Sequence, residues 1–143
     1  MTRGWLVTLC LSVVVTGSVA SEPTASCDAT CLNLKTLIAI AAATMEECDR
    51  AFPAANGAYT QAFKNWNLLK YKIPGLHALL AEQTPEIATA RPSVAHDFQQ
   101  SPRFEQEIQC QGYGGKLKDQ DLLVPKEMLA PYAPGPNNRW RGP

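Results

Sequence analysis

Three cysteines and four apolar residues near the start of the chain share one helical seam, and this seam restricts the fold more than any other feature. Cys27, Cys31, Leu34, Ile38, Ala41, Met45 and Cys48 follow one another at steps of four, three, four, three, four and three. Such alternation keeps seven side chains on one stripe of an α-helix, the pattern of a helix with a single buried face. Asp28 stands where an N-cap is expected, since a short carboxylate side chain accepts from the free backbone N–H groups of the first turn. The alanines at 39 and 41 to 43 favour the helix and let a neighbouring helix come close.

Pro53 ends this helix or opens the next, because proline has no backbone donor and fits only a first turn. A second stripe then runs through Phe52, Ala55, Tyr59, Ala62, Trp66, Leu69 and Ile73, widened by Phe63. Gly57 weakens its first turns by roughly 1 kcal/mol relative to alanine. Pro74-Gly75 closes the element. Beyond it, Thr84-Pro85-Glu86, Arg91-Pro92 and Ser101-Pro102 read as successive caps and breaks. The expected fold is all-α: a helical hairpin of about 28–50 and 53–72, with shorter helices of about 75–90, 93–99 and 102–110 packed across it. The last of these is expected to turn Phe104, Ile108 and Cys110 toward the core. Residues 27–112 form the helical domain, and 113–143 a Pro- and Gly-rich, irregular tail.

Residues 1–20 read as a secretory signal: Arg3 in a short positive start, an apolar run from Trp5 to Thr16, and small residues at Ser18-Val19-Ala20. The run is shorter than the roughly 20 residues of a spanning helix, and no stop-transfer segment follows it. A lipoprotein reading through Cys10 meets the bulky Leu9. Cleavage before Ser21 leaves a short polar leader, 21–26, expected to be mobile, and a chain with 12 Lys and Arg against 13 Asp and Glu. That balance lacks the basic excess of a nucleic-acid binder. The expected location is periplasmic or secreted.

Four cysteines then remain, and an even number in an exported chain favours two disulfides over metal ligation or thiol chemistry. Cys31 and Cys48 lie 17 residues apart. On one straight helix that is about 25 Å, whereas a disulfide needs Cα atoms within about 7 Å. The simplest pairing is Cys27–Cys31 and Cys48–Cys110. A regular up-down-up-down bundle would instead bring Cys110 to Cys27 or Cys31, but the prolines between 74 and 102 argue against that regularity.

No residue set carries catalysis. CDATC has three residues between its cysteines where thioredoxin-like motifs have two, and no CxxCH haem site occurs. His77 and His96 lack a second ligand at zinc-helix spacing. Ser93 and Ser101 lack a nucleophile elbow, and Glu46-Glu47, Glu105 and Glu107 read as solvated or capping charges. No cofactor or metal is expected. Tyr59, Phe63 and Trp66 read as core before ligand groove. Arg139, Trp140 and Arg141 form a candidate partner contact, since Trp and Arg are frequent interface anchors.

The run Cys48-Asp49-Arg50-Ala51-Phe52-Pro53, with Tyr59, Phe63 and Trp66, resembles small uncharacterised exported helical proteins of Gram-negative bacteria. Proteins of that look include immunity proteins against periplasmic toxins and inhibitors of cell-wall enzymes. The resemblance implies a non-catalytic periplasmic protein binder, an inhibitor or immunity protein; the alternative expectation is a structural or accessory subunit of a cell-envelope assembly, and a small enzyme is third. It carries over no site residue.

Overall fold

A computed structural model describes residues 27–66, 68, 70–119 and 123–133. The expected signal and leader segments and the candidate contact at Arg139, Trp140 and Arg141 lie outside the described residues. Among those residues the fold is all-α, with six α-helices: α1 (Ala29–Ala51), α2 (Ala58–Asn65), α3 (Leu76–Leu80), α4 (Pro85–Gln100), α5 (Arg103–Lys118) and α6 (Lys126–Leu129). Short 3-10 turns, Pro53–Ala55 and Ala130–Tyr132, join the set.

Helix α1 is the centre. Asp28 caps it, its carboxylate accepting from the Cys31 N–H at 2.8 Å. The seam of Cys31, Leu34, Ile38, Ala41, Met45 and Cys48 is buried. Toward the C-terminal end burial spreads around the helix to include Ala42, Ala43, Thr44 and Glu47. Helices α2 and α5 and the later part of α4 meet that end. Two disulfides fasten the arrangement: Cys27–Cys31, with Cα atoms 5.2 Å apart, and Cys48–Cys110, at 5.6 Å.

The expected helix over 53–72 is much shorter. After the 3-10 turn, Asn56 and Gly57 take left-handed conformations with φ of 50° and 77°, α2 starts at Ala58, and by Trp66 the chain is extended. Gly57 is therefore the break, which its backbone freedom permits. Having no side chain, it cannot cap α2 itself. Asp49 of α1 does so, accepting from the N–H groups of Tyr59 at 3.1 Å and Thr60 at 2.8 Å, and from the Thr60 hydroxyl. Helical spacing of apolar residues continued through 73, yet Ile73 and Leu68 reach the core from non-helical chain whose carbonyls accept turn hydrogen bonds from Leu76 and Tyr71.

A second correction concerns Pro92. It lies inside α4 and does not divide it; the break falls earlier, at Glu82-Gln83. Thr84 caps α4 and Pro85 occupies its first turn, as the sequence indicated. Pro92 is exposed, and α4 is tied to α1 on both sides of it. Lys35 meets Glu86 at 2.5 Å before it, and Gln99 reaches Glu47 at 3.5 Å beyond it. These ties also show that α4 runs in the same direction as α1, its start beside Lys35 and its end beside Glu47.

The third correction is α5, which continues past 110 to Lys118 and takes in Gly112, Gly114 and Gly115. Its buried or half-buried stripe is Gln106, Cys110, Tyr113 and Leu117. Phe104 and Ile108, expected inward, are 62% and 66% exposed. At about 100° per residue, Ile108 and Cys110 lie some 160° apart around one helix and cannot both face the core. The disulfide at Cys110 decides which does. Gly114 brings α5 against α2, because a Cβ there would stand 3.0 Å from the Tyr59 ring.

Past α5 the chain adds Val124 and Leu129 to the core. The Lys72 N–H donates to the Tyr132 carbonyl at 3.0 Å, and the Tyr132 hydroxyl donates to Asp28 at 3.1 Å. Thus residues 123–133 close the bundle at the start of α1.

Two stability tests follow from this packing. Removing the Cys48–Cys110 link with paired alanines costs about 4 kcal/mol, and removing Cys27–Cys31 costs about 2 kcal/mol, because the closed loops differ in length; urea denaturation of the two double variants compares them. In α5, nothing lies within 4 Å of a Cβ at Gly112 or Gly115. G112A and G115A should each stabilise by about 1 kcal/mol, whereas G114A lowers Tm by pressing on Tyr59.

Candidate functional site

The N-terminal half of α1 leaves one side uncovered. Leu32, Leu37 and Ile40 are 52%, 40% and 37% exposed, and Thr36 lies among them. Steps of four run from Leu32 through Thr36 to Ile40 and a step of three joins Leu37 to Ile40, so Leu32 and Leu37 mark the two edges of this side, about 140° apart. Along this strip α4 forms the other wall of an open groove of about 520 Å³, presenting Pro85, Thr89, Ala90 and Val94 to Thr36 and Ile40. Small and hydroxyl-bearing side chains keep its floor low.

Ion pairs hold the two walls in register. Arg91 of α4 grips Glu46 of α1 through both carboxylate oxygens, at 2.7 to 3.1 Å. This fork matches a planar guanidinium to a carboxylate and is more specific than a single contact. Hydrogen bonding to Glu46 raises the Arg91 pKa, and hydrogen bonding from Lys35 lowers that of Glu86. Glu46 and Glu47, expected on solvated faces, are thus interhelical ties; Glu47 is buried and also pairs with Arg50.

Two other surfaces are shaped. A groove of about 580 Å³ between α2 and α5 is lined by Tyr59, Ala62, Gly114 and Leu117. Of the aromatic stripe, only Tyr59 reaches it; Phe63 and Trp66 are buried, their rings 6.0 Å apart. On α5, Ile108 borders a smaller hollow of about 260 Å³ with Tyr113, Lys116 and Leu123.

The corner between α3 and α4 contains an outlier. Glu82 has φ of 61°, a conformation that usually calls for glycine after a helix end. Its N–H donates to the Leu79 carbonyl at 3.0 Å, and the Gln83 N–H to that of Ala78 at 3.5 Å. One carboxylate oxygen is buried without a hydrogen-bond partner, and the other is 3.9 Å from Lys64. Burial pushes the Glu82 carboxyl above its ordinary value; Lys64 and Arg91 oppose this, while Glu46 and Asp49 add to it.

His77 and His96 are exposed, on α3 and α4. Ser93 lines the α1–α4 groove, and the Ser101 hydroxyl donates to the Asp97 carbonyl at 3.1 Å. Among the described residues no group of three His, Cys, Asp or Glu side chains could hold a metal ion, and no helix is long and apolar enough to cross a membrane. The arrangement presents exposed apolar side chains on a cross-linked frame. Sequence reading missed the α1–α4 groove because its walls lie some fifty residues apart. Its one local trace was the apolar pair Leu37 and Ile40, off the main seam.

Comparison with known proteins finds no matching family model, no matching curated protein and no matching solved structure.

Glu82 gives a pH test. A carboxyl raised in the folded state contributes stability below its ordinary value of 4.5, and that contribution is lost as pH rises through the higher folded value. E82Q should be more stable than the wild type at pH 7, with the difference shrinking toward pH 4. Urea midpoints at the two pH values provide the check.

Proposed function

We propose that this chain is an exported, non-catalytic protein binder, an inhibitor or immunity protein of the bacterial envelope. The observation that carries this reading is the exposed set Leu32, Leu37 and Ile40, of which Ile40 lines the α1–α4 groove, on a helix whose opposite face is core. Burial of such side chains by a partner is favourable, and adjacent exposed apolar residues mark interaction surfaces more often than scattered ones. A cross-linked scaffold presents that surface already ordered, so less entropy is lost on binding. Two disulfides suit an oxidising compartment, in keeping with the apolar N-terminal segment and with the resemblance of residues 45–67 to exported helical proteins.

A second reading, an accessory subunit of an envelope assembly, draws on Phe104 and Ile108. They form another exposed apolar pair on a different helix, which would serve a chain that touches two neighbours.

Both readings are tested by capture from periplasmic extract on immobilised full chain, with L37D/I40D and F104D/I108D as separate variants. Exposed positions of this kind shift stability by only about 0.5 kcal/mol, so lost capture reports the surface and not the fold. Binding lost in the first variant alone supports the inhibitor reading, and binding that needs both pairs supports the assembly reading. Identical capture by wild type and both variants overturns the two together.

A further inference from the structure

We infer that the α1–α4 groove takes a basic amphipathic segment of a partner protein, its apolar side chains lying between Ile40 and Val94 and a lysine or arginine reaching Asp97. This rests on the binding reading above and adds the partner's chemistry. The groove lining is apolar or hydroxyl-bearing except for two charges, Glu86 and Asp97, and both are negative. Glu86 is already matched by Lys35 at 2.5 Å. Asp97 is exposed and enters no ion pair among the described residues.

Asp97 also lies in the last turn of α4, where the helix dipole places partial negative charge. That turn contains no basic residue. The Gln106 amide donates to the carbonyls of Phe98 and Ser101, at 2.9 Å each, but adds no charge. Arg103, the nearest following cation in sequence, is stacked 3.9 Å from the Phe52 ring centroid. Two negative features therefore reinforce each other at one end of an apolar groove, while the other end is neutralised. That asymmetry fixes direction as well as sign. A bound segment has its cation at the Asp97 end and its apolar anchors toward Thr36 and Pro85. An acidic segment would meet repulsion at Asp97 with no cation in the lining to offset it.

The test uses the exported full chain and two synthetic helical peptides with the same leucine positions, one with flanking lysines and one with flanking glutamates. Backbone and methyl NMR shifts on titration report where each binds. The expected result is binding of the lysine peptide only, with shifts at Ile40, Ala90 and Val94. D97N should weaken it about fivefold, the effect of one rim charge pair, and I40D should abolish it. Added salt should weaken the wild-type complex more than the D97N complex. Equal binding of the glutamate peptide, no binding of the lysine peptide, or binding indifferent to I40D overturns the inference. So do groove shifts on deleting residues 134–143, which would make the chain's own end the occupant, and a dimer that I40D dissociates, which would make it a second copy. Failure here alongside I40D-sensitive capture from extract removes only the basic-segment assignment. Loss of both removes the binding reading.

Discussion

Four consecutive residues of α1 hold three other helices in place. Glu46 takes Arg91 of α4, Glu47 takes Gln99 of α4 together with Arg50, Cys48 is bonded to Cys110 of α5, and Asp49 caps α2. Successive residues of a helix point about 100° apart, so a run of four sends its side chains around the whole circumference. A helix end that must satisfy four directions at once becomes surrounded, and burial here does spread around α1. The frame depends on this ring because α2 and α5 have no side-chain cap of their own. Asp49 supplies the missing cap of α2, and the disulfide anchors α5 to α1 through Cys110.

The same ring explains where surface is left over. The ring of four closes the circumference of α1 only at its C-terminal end, so its N-terminal half keeps an open side, and Leu32, Leu37 and Ile40 remain there. On α5 the disulfide sets the rotation: once Cys110 and Leu117 point inward, Phe104 and Ile108 point outward whatever their hydrophobicity. The exposed pair on α5 is thus a consequence of its cross-link and the strip on α1 of where its neighbours pack, and both supply the surfaces to which the binding reading is assigned. Glu82 is a different kind of departure, with a strained backbone and a buried carboxylate oxygen at the hinge between two helices.

Much of the frame was legible in the residues. The seam from Cys31 to Cys48, the cap at Asp28 and the Thr84-Pro85 helix start each depend on side chains within a turn or two of one another, and local chemistry settles them, while Cys27, expected on the same seam, is exposed ahead of the helix. Three features were not legible. Gly57 looked like a weak point within a helix and is its break, because a remote carboxylate stood ready to cap the shorter helix. Pro92 looked like a break and is carried inside α4, because ties to α1 on both sides hold the helix across it. Phe104 and Ile108 looked like core because hydrophobicity alone cannot set the phase of a helix whose cysteine is fixed elsewhere.

By itself the sequence determined helicity and the buried stripe of α1 and offered the cysteines for its cross-links, since these follow from periodicity, propensity and composition over short spans. The tertiary structure alone decided where helices stop and which apolar faces stay outside. Both are outcomes of competition between local preference and groups far away in the chain, Asp49 against Gly57, Glu46 and Glu47 against Pro92, Cys48 against Phe104, and such contests are settled only when the distant partners meet.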